Sequence, residues 1–184
     1  MVDGISAMEF VNSWAETARG LVPLTTPPSL DRRVLGSRQP PLIQYPHHSY
    51  VEIKDISGIA SLFEKEKIAV ESLSFVPEKI MRLKKLAMED GAIKSCTSFA
   101  ALTALLWRSR SKALKMRPDQ KAKLLFGVDV RSKLDPPLPR GYFGNGLMVT
   151  CCICPAGELM EKPFSFAIET KPNQTKHPVN PTRK

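Results

Sequence analysis

The chain has 184 residues, 42% of them hydrophobic, and its 27 Lys and Arg against 18 Asp and Glu leave it at +9. A chain of this length forms about one domain and buries roughly 70% of its unfolded surface, which excludes low-complexity disorder for most of it. No run approaches the roughly 18 apolar residues of a membrane span, and the start Met1-Val2-Asp3-Gly4 has no basic n-region ahead of an apolar core, so neither a transmembrane helix nor a signal peptide is expected.

In chain order, residues 5–19 read as a helix: Ala7, Phe10, Val11, Trp14 and Ala18 form an apolar stripe, and Gly20 is placed to end it. Residues 21–46 hold six prolines and read as a long extended connector at a domain junction. Tyr50-Val51-Glu52-Ile53 suggests a short strand, and Ser57 to Lys67 a short helix or loop. Leu73 and Phe75 alternate with Ser72 and Ser74 as in a half-buried strand. Pro77 suits the first turn of a helix to about Asp90, with Ile80, Leu83 and Ala87 inward and Gly91 ending it. Thr97 or Ser98 caps the next helix, whose apolar stripe is Phe99, Leu102, Leu106 and Ala113. Leu124, Phe126, Val128 and Val130 alternate as a strand running to Arg131. Pro136, Pro137 and Pro139 mark a loop, Gly141-Tyr142-Phe143-Gly144-Asn145-Gly146 a glycine-rich turn, and Leu147–Cys152 another strand. Phe164–Ile168 is a last apolar piece, and 171–184 reads as a disordered tail. Strands and helices alternate without repeats, which makes the class α/β or α+β.

The charge is concentrated. Residues 79–140 carry 15 basic and 5 acidic groups, whereas 1–78 carry 7 and 10. Such a block attracts a polyanion, either nucleic acid or a phosphorylated cofactor, unless it is a set of solvated helix faces. The nucleic-acid reading has no aromatic-basic interleaving behind it.

Cys151, Cys152 and Cys154 do not form a zinc site: two of them point to opposite faces of a strand, no second pair exists, and His47, His48 and His177 lack ligand spacing. Buried structural thiols are expected, in a reduced, cytoplasmic protein. The glycine-rich turn is not a dinucleotide fingerprint, because it precedes a strand instead of following one. His47-His48, in the proline-rich connector, is not assigned a catalytic role. Arg131 on an apolar strand needs a carboxylate, and Asp129 and Asp3 are both candidates.

Taken together and in this order, Asp3-Gly4, the capped helix from Ser95-Cys96-Thr97-Ser98-Phe99 to Trp107-Arg108, Val128-Asp129-Val130-Arg131, Pro136-Pro137-Leu138-Pro139 and Gly141-Tyr142-Phe143-Gly144-Asn145 carry a family resemblance. From residue 1 to about Glu169 the chain resembles the BAHD family of plant acyl-CoA-dependent acyltransferases. Within it, the chain is most similar to members that move a feruloyl or related hydroxycinnamoyl group onto fatty alcohols or ω-hydroxy fatty acids.

The resemblance implies a two-domain α/β acyltransferase fold, a mixed sheet with flanking helices, of roughly twice this length. Residues 1–20 would be a remnant of the N-terminal domain, 21–49 the crossover linker, 50–170 part of the C-terminal domain and 171–184 a divergent tail. The family motif is His-x-x-x-Asp-Gly: its His is the general base, and its Asp holds the motif by an ion pair with an Arg. Asp3, Gly4 and Arg131 match these positions. The His would lie two residues before Met1, and a later family motif, Asp-Phe-Gly-Trp-Gly, is missing past Glu169, so the chain alone is expected to transfer no acyl group. Acyl-CoA is the implied co-substrate, with no tightly bound cofactor and no metal. Ser95, Thr97, Ser98 and Arg108 are the implied CoA-side residues, at a helix N-terminus suited to anions. The implied partners are acyl-CoA and a small hydroxyl acceptor, not nucleic acid, with a monomer at full length. The alternative is a non-catalytic module that binds CoA or a partner.

Overall fold

The computed structural model describes residues 2–31, 33–36, 40, 48–54 and 69–170. Among these, the order is α1 (Gly4–Ala18), 3-10 turns at Arg33–Leu35 and His48–Tyr50, α2 (Pro77–Met88), α3 (Ser98–Ala113), β1 (Lys121–Asp129), β2 (Leu147–Pro155), α4 (Ala156–Glu161) and α5 (Phe164–Glu169). β1 and β2 pair as a two-stranded sheet. The chain divides into two compact units: residues 1–47, 126–150 and 175–184 form the first, and 48–125 and 151–174 the second. The readings at 57–67, at His47 and His177 and over the 171–184 tail lie outside the described residues.

In the first unit, Asp3 caps α1 by accepting a 2.9 Å bond from the Ser6 amide. A small core forms from Leu134, Leu138 and Tyr142, with Val34 and Val130 against it. At Ser29 the described part of the proline-rich segment is tied to the glycine-rich turn. Ser29 bridges Tyr142, donating its amide to the Gly141 carbonyl at 2.7 Å and accepting from the Phe143 amide at 3.0 Å. Gly141 has φ +77°, and a Cβ there would lie 2.2 Å from the Pro27 carbonyl oxygen. No other residue fits that contact.

The second unit is built from helices. α2, α3 and α5 pack on one another, and α3 also packs on α4. Ala87, Ala101 and Ala104 are at most 2% exposed, and small side chains of this kind let helix axes approach closely. Pro77 takes the first position of α2, where its missing N–H costs nothing. Thr97 caps α3, its hydroxyl accepting from the Ala100 amide at 3.1 Å. Gly157 abuts Pro118, and the Ala156 amide donates to the Gln120 carbonyl at 2.8 Å. The Ser165 hydroxyl donates to Asp90.

Five expectations need correction. The apolar stripe of α1 faces outward, with Phe10, Val11 and Trp14 56–68% exposed, while Ser6 is fully buried. Ser6, Glu9, Ser13 and Glu16, also at helical spacing, are the better-covered side. The bonds that Asp3 and Ser6 must make fix the rotation of the helix, and those bonds outweigh the apolar pattern. On α3 the buried residues are Ala101, Ala104, Trp107 and Ser111, whereas Phe99 and Leu106 are about 60% exposed. The alternating Leu73–Phe75 run and Tyr50–Ile53 are not strands: the first is irregular with Leu73 77% exposed, and the second is a 3-10 turn followed by irregular chain. A strand exists only with a ladder partner, and alternation alone does not supply one. Finally β1 ends at Asp129, so Arg131 lies just beyond the strand.

Candidate functional site

The structure brings Asp3 and Arg131, 128 residues apart in sequence, into a two-pronged ion pair. Arg131 Nη1 donates to Asp3 Oδ2 at 2.8 Å, and Nη2 donates to Oδ1 at 2.9 Å. The Asp3 side chain is 2% exposed and that of Arg131 16%. Each carboxylate oxygen takes one more donor: the Ser6 amide reaches Oδ1, and the Gly146 amide reaches Oδ2 at 2.8 Å. The Arg131 guanidinium and these two amides hold the Asp3 carboxyl well below the usual carboxylate range, against the opposing effect of burial. The pairing with Asp3 likewise raises Arg131 above its ordinary value. Of the two carboxylates considered for Arg131, both are used. Asp129 accepts from Nη1 at 3.1 Å, but its side chain is 42% exposed, so Asp3 is the buried partner.

Ser6 completes the network and was not singled out in the sequence. Its hydroxyl donates to the Gly144 carbonyl at 2.8 Å and accepts from the Gly144 amide at 3.1 Å and from Arg131 Nη2 at 3.0 Å. Nη2 also reaches the Gly144 carbonyl at 3.2 Å. The helix start, the arginine and the glycine-rich turn are thus joined at one hydroxyl. A capping residue is sought at the helix boundary, and a serine three residues inside carries no such signal. Gly146 has its own constraint, since a Cβ would lie 2.7 Å from Arg131 Nη1. Gly4 opens α1 and is exposed.

The other expected residues lie in the second unit. Ser95, Thr97 and Ser98 are exposed around the N-terminus of α3. Arg108 is not with them. It sits ten residues further along the helix, about 15 Å by the helical rise. There its Nη2 donates to the Met160 carbonyl at 2.5 Å, and its guanidinium lies 5.8 Å from the Phe164 ring centre. Arg108 therefore fastens α4 and α5 to α3. His48 lies in a 3-10 turn. All four cysteines are buried free thiols, and burial pushes Cys152 and Cys154 up to about 11, so they are protonated at neutral pH.

Comparison with solved structures defines the class first. The chain matches F. graminearum TRI101 complexed with ethyl coenzyme A at a TM-score of 0.62 and 16% identity, covering 92% of this chain and 38% of that one. The fold is therefore shared with that protein. The Transferase family model matches residues 1–181, and the chain belongs to this family, the BAHD acyltransferases. It is 57% identical over 171 residues to an omega-hydroxypalmitate O-feruloyl transferase of Arabidopsis thaliana and 49% identical over 168 residues to a fatty alcohol:caffeoyl-CoA acyltransferase of the same plant. These matches cover 91% of this chain and span 37% and 38% of those relatives.

Proposed function

We propose that these residues form part of an acyltransferase that moves a feruloyl or caffeoyl group from CoA onto the hydroxyl of a long-chain aliphatic acceptor. The observation that carries the reading is the buried Asp3–Arg131 pair, the arrangement expected of the Asp in His-x-x-x-Asp-Gly. Asp3 faces inward and spends all its bonds on Arg131, Ser6 and Gly146, so its role is to hold the chain that enters α1, not to take a proton. The acid–base step belongs to the motif's His. As the acceptor oxygen attacks the thioester carbonyl, the His accepts the hydroxyl proton, the new C–O bond forms, and the C–S bond breaks to release CoA. Ser95, Thr97 and Ser98 are proposed to face the CoA, their helix N-terminus offering amide donors. The names of the two relatives favour the aliphatic acceptor.

The family reading is tested by exchanging residues 1–169 for the matching stretch of the omega-hydroxypalmitate relative. The chimera should esterify long-chain hydroxyls with feruloyl-CoA. A folded chimera that acylates none of them sinks the proposal. A second reading, a partner-binding module, draws on one observation, the exposed apolar stripe of α1.

A further inference from the structure

A cavity of about 220 Å³ lies in the first unit beside α1. Phe10, Phe143, Pro28 and Leu30 line it, with the Phe10 and Phe143 rings 6.4 Å apart. Its volume exceeds the roughly 150 Å³ that holds a benzene ring in an engineered apolar cavity. The walls are pre-formed, because the segment carrying Pro28 and Leu30 is bridged at Ser29 to the turn carrying Phe143. Among the described lining residues Glu9 is the one charged side chain, and none is Lys or Arg.

That chemistry selects an uncharged hydrocarbon. A carboxylate entering such a site would lose water and meet the Glu9 carboxylate with no compensating cation among the described lining residues. Phe10 is seven residues along α1 from Asp3, about 10 Å by the helical rise. A long chain with one end in the cavity therefore has length to spare for its hydroxyl to lie toward the Asp3 end of the helix.

We propose that this cavity takes the methyl end of a long-chain primary alcohol, and that Glu9 discriminates against an ω-hydroxy fatty acid, whose far end is a carboxylate. The inference rests on the long-chain reading above and narrows it to one acceptor class.

The test is binding to the 184-residue chain at pH 7 by calorimetry, with 1-dodecanol and 12-hydroxydodecanoate as probes. The alcohol is expected to bind at least tenfold more tightly than the hydroxy acid. Glu9→Gln should shrink that gap to about twofold by strengthening the hydroxy acid. Phe10→Asp, at a position 56% exposed and so tolerant of change, should abolish alcohol binding while leaving the circular dichroism spectrum intact. Equal binding of alcohol and hydroxy acid, or a gap that survives Glu9→Gln, overturns the role of Glu9. Absence of alcohol binding overturns the cavity assignment, as does a sedimenting dimer from which the alcohol is excluded, which would make a second copy the occupant. The wider reading fails separately, if the chimera described above acylates no long-chain hydroxyl.

Discussion

Arg131 in the first unit and Arg108 in the second are both partly covered arginines, and they hold their surroundings in different ways. Arg131 gives its fork to a buried carboxylate, a buried hydroxyl and a carbonyl, with glycine required beside it. Arg108 makes one bond to a carbonyl and lies over an aromatic ring. The first is a charge pair in which removing either member strands the other in a dry site. The second is a long amphipathic stem whose charge is satisfied by a neutral acceptor. In the first unit polar bonds therefore set the geometry and leave the apolar side of α1 outward. In the second, small apolar residues set the helix contacts and the arginine fastens them.

The largest expected effect breaks that contrast directly. Arg131→Ala should cost about 3–5 kcal/mol in urea unfolding, because it leaves the Asp3 carboxylate buried and unpaired. Arg108→Ala should cost about 1.5–3 kcal/mol, the range for a hydrogen bond from a charged group. Equal losses would erase the distinction. The pair also has a pH signature. The Asp3 carboxyl is depressed in the folded chain, so its stabilisation is fully present above the ordinary carboxylate range and is lost as pH falls through the folded value. Urea midpoints between pH 7 and 2 should fall on the acid side, and Asp3→Asn should flatten that limb at the expense of a lower plateau.

Legibility followed the same division. Local signals were readable: Pro77 and Thr97 start their helices as expected, and Gly20 and Gly91 follow α1 and α2 with positive φ. The need of Arg131 for a carboxylate was readable too, with Asp3 among the candidates, because an arginine beside an apolar strand demands one. What the sequence concealed depends on neighbours distant along the chain. Ser6 becomes a hub only when Gly144 and Arg131 arrive beside it. Its bonds then turn α1 so that the periodic apolar residues point the wrong way for a pattern-based reading. Leu73 and Phe75 alternate without a strand to pair with, and the placement of Arg108 was hidden because α4 and α5 meet it from more than fifty residues away.

Smaller effects sharpen the picture. Gly141→Ala should cost about 1–3 kcal/mol, since it combines a positive φ with a collision at Pro27, and thermal unfolding would register it. Thr97→Ala should cost about 1 kcal/mol through loss of the cap, and Thr97→Ser should restore most of it. A larger loss at Thr97 than at Gly141 would mean that the second unit, not the first, is the more sensitive to single contacts.

The buried cysteines make the second unit its own reporter. All four, Cys96, Cys151, Cys152 and Cys154, fall within it and none in the first unit. Alkylating reagents attack thiolates, and these sulfurs are covered, with Cys152 and Cys154 held protonated as well. Iodoacetamide can therefore modify them only during transient openings, so the labelling rate becomes a clock for local unfolding of that unit. Applied to the Arg131→Ala variant, the clock separates two cases. An unchanged rate means that the damage stays within the first unit, and an accelerated one means that the two units open together.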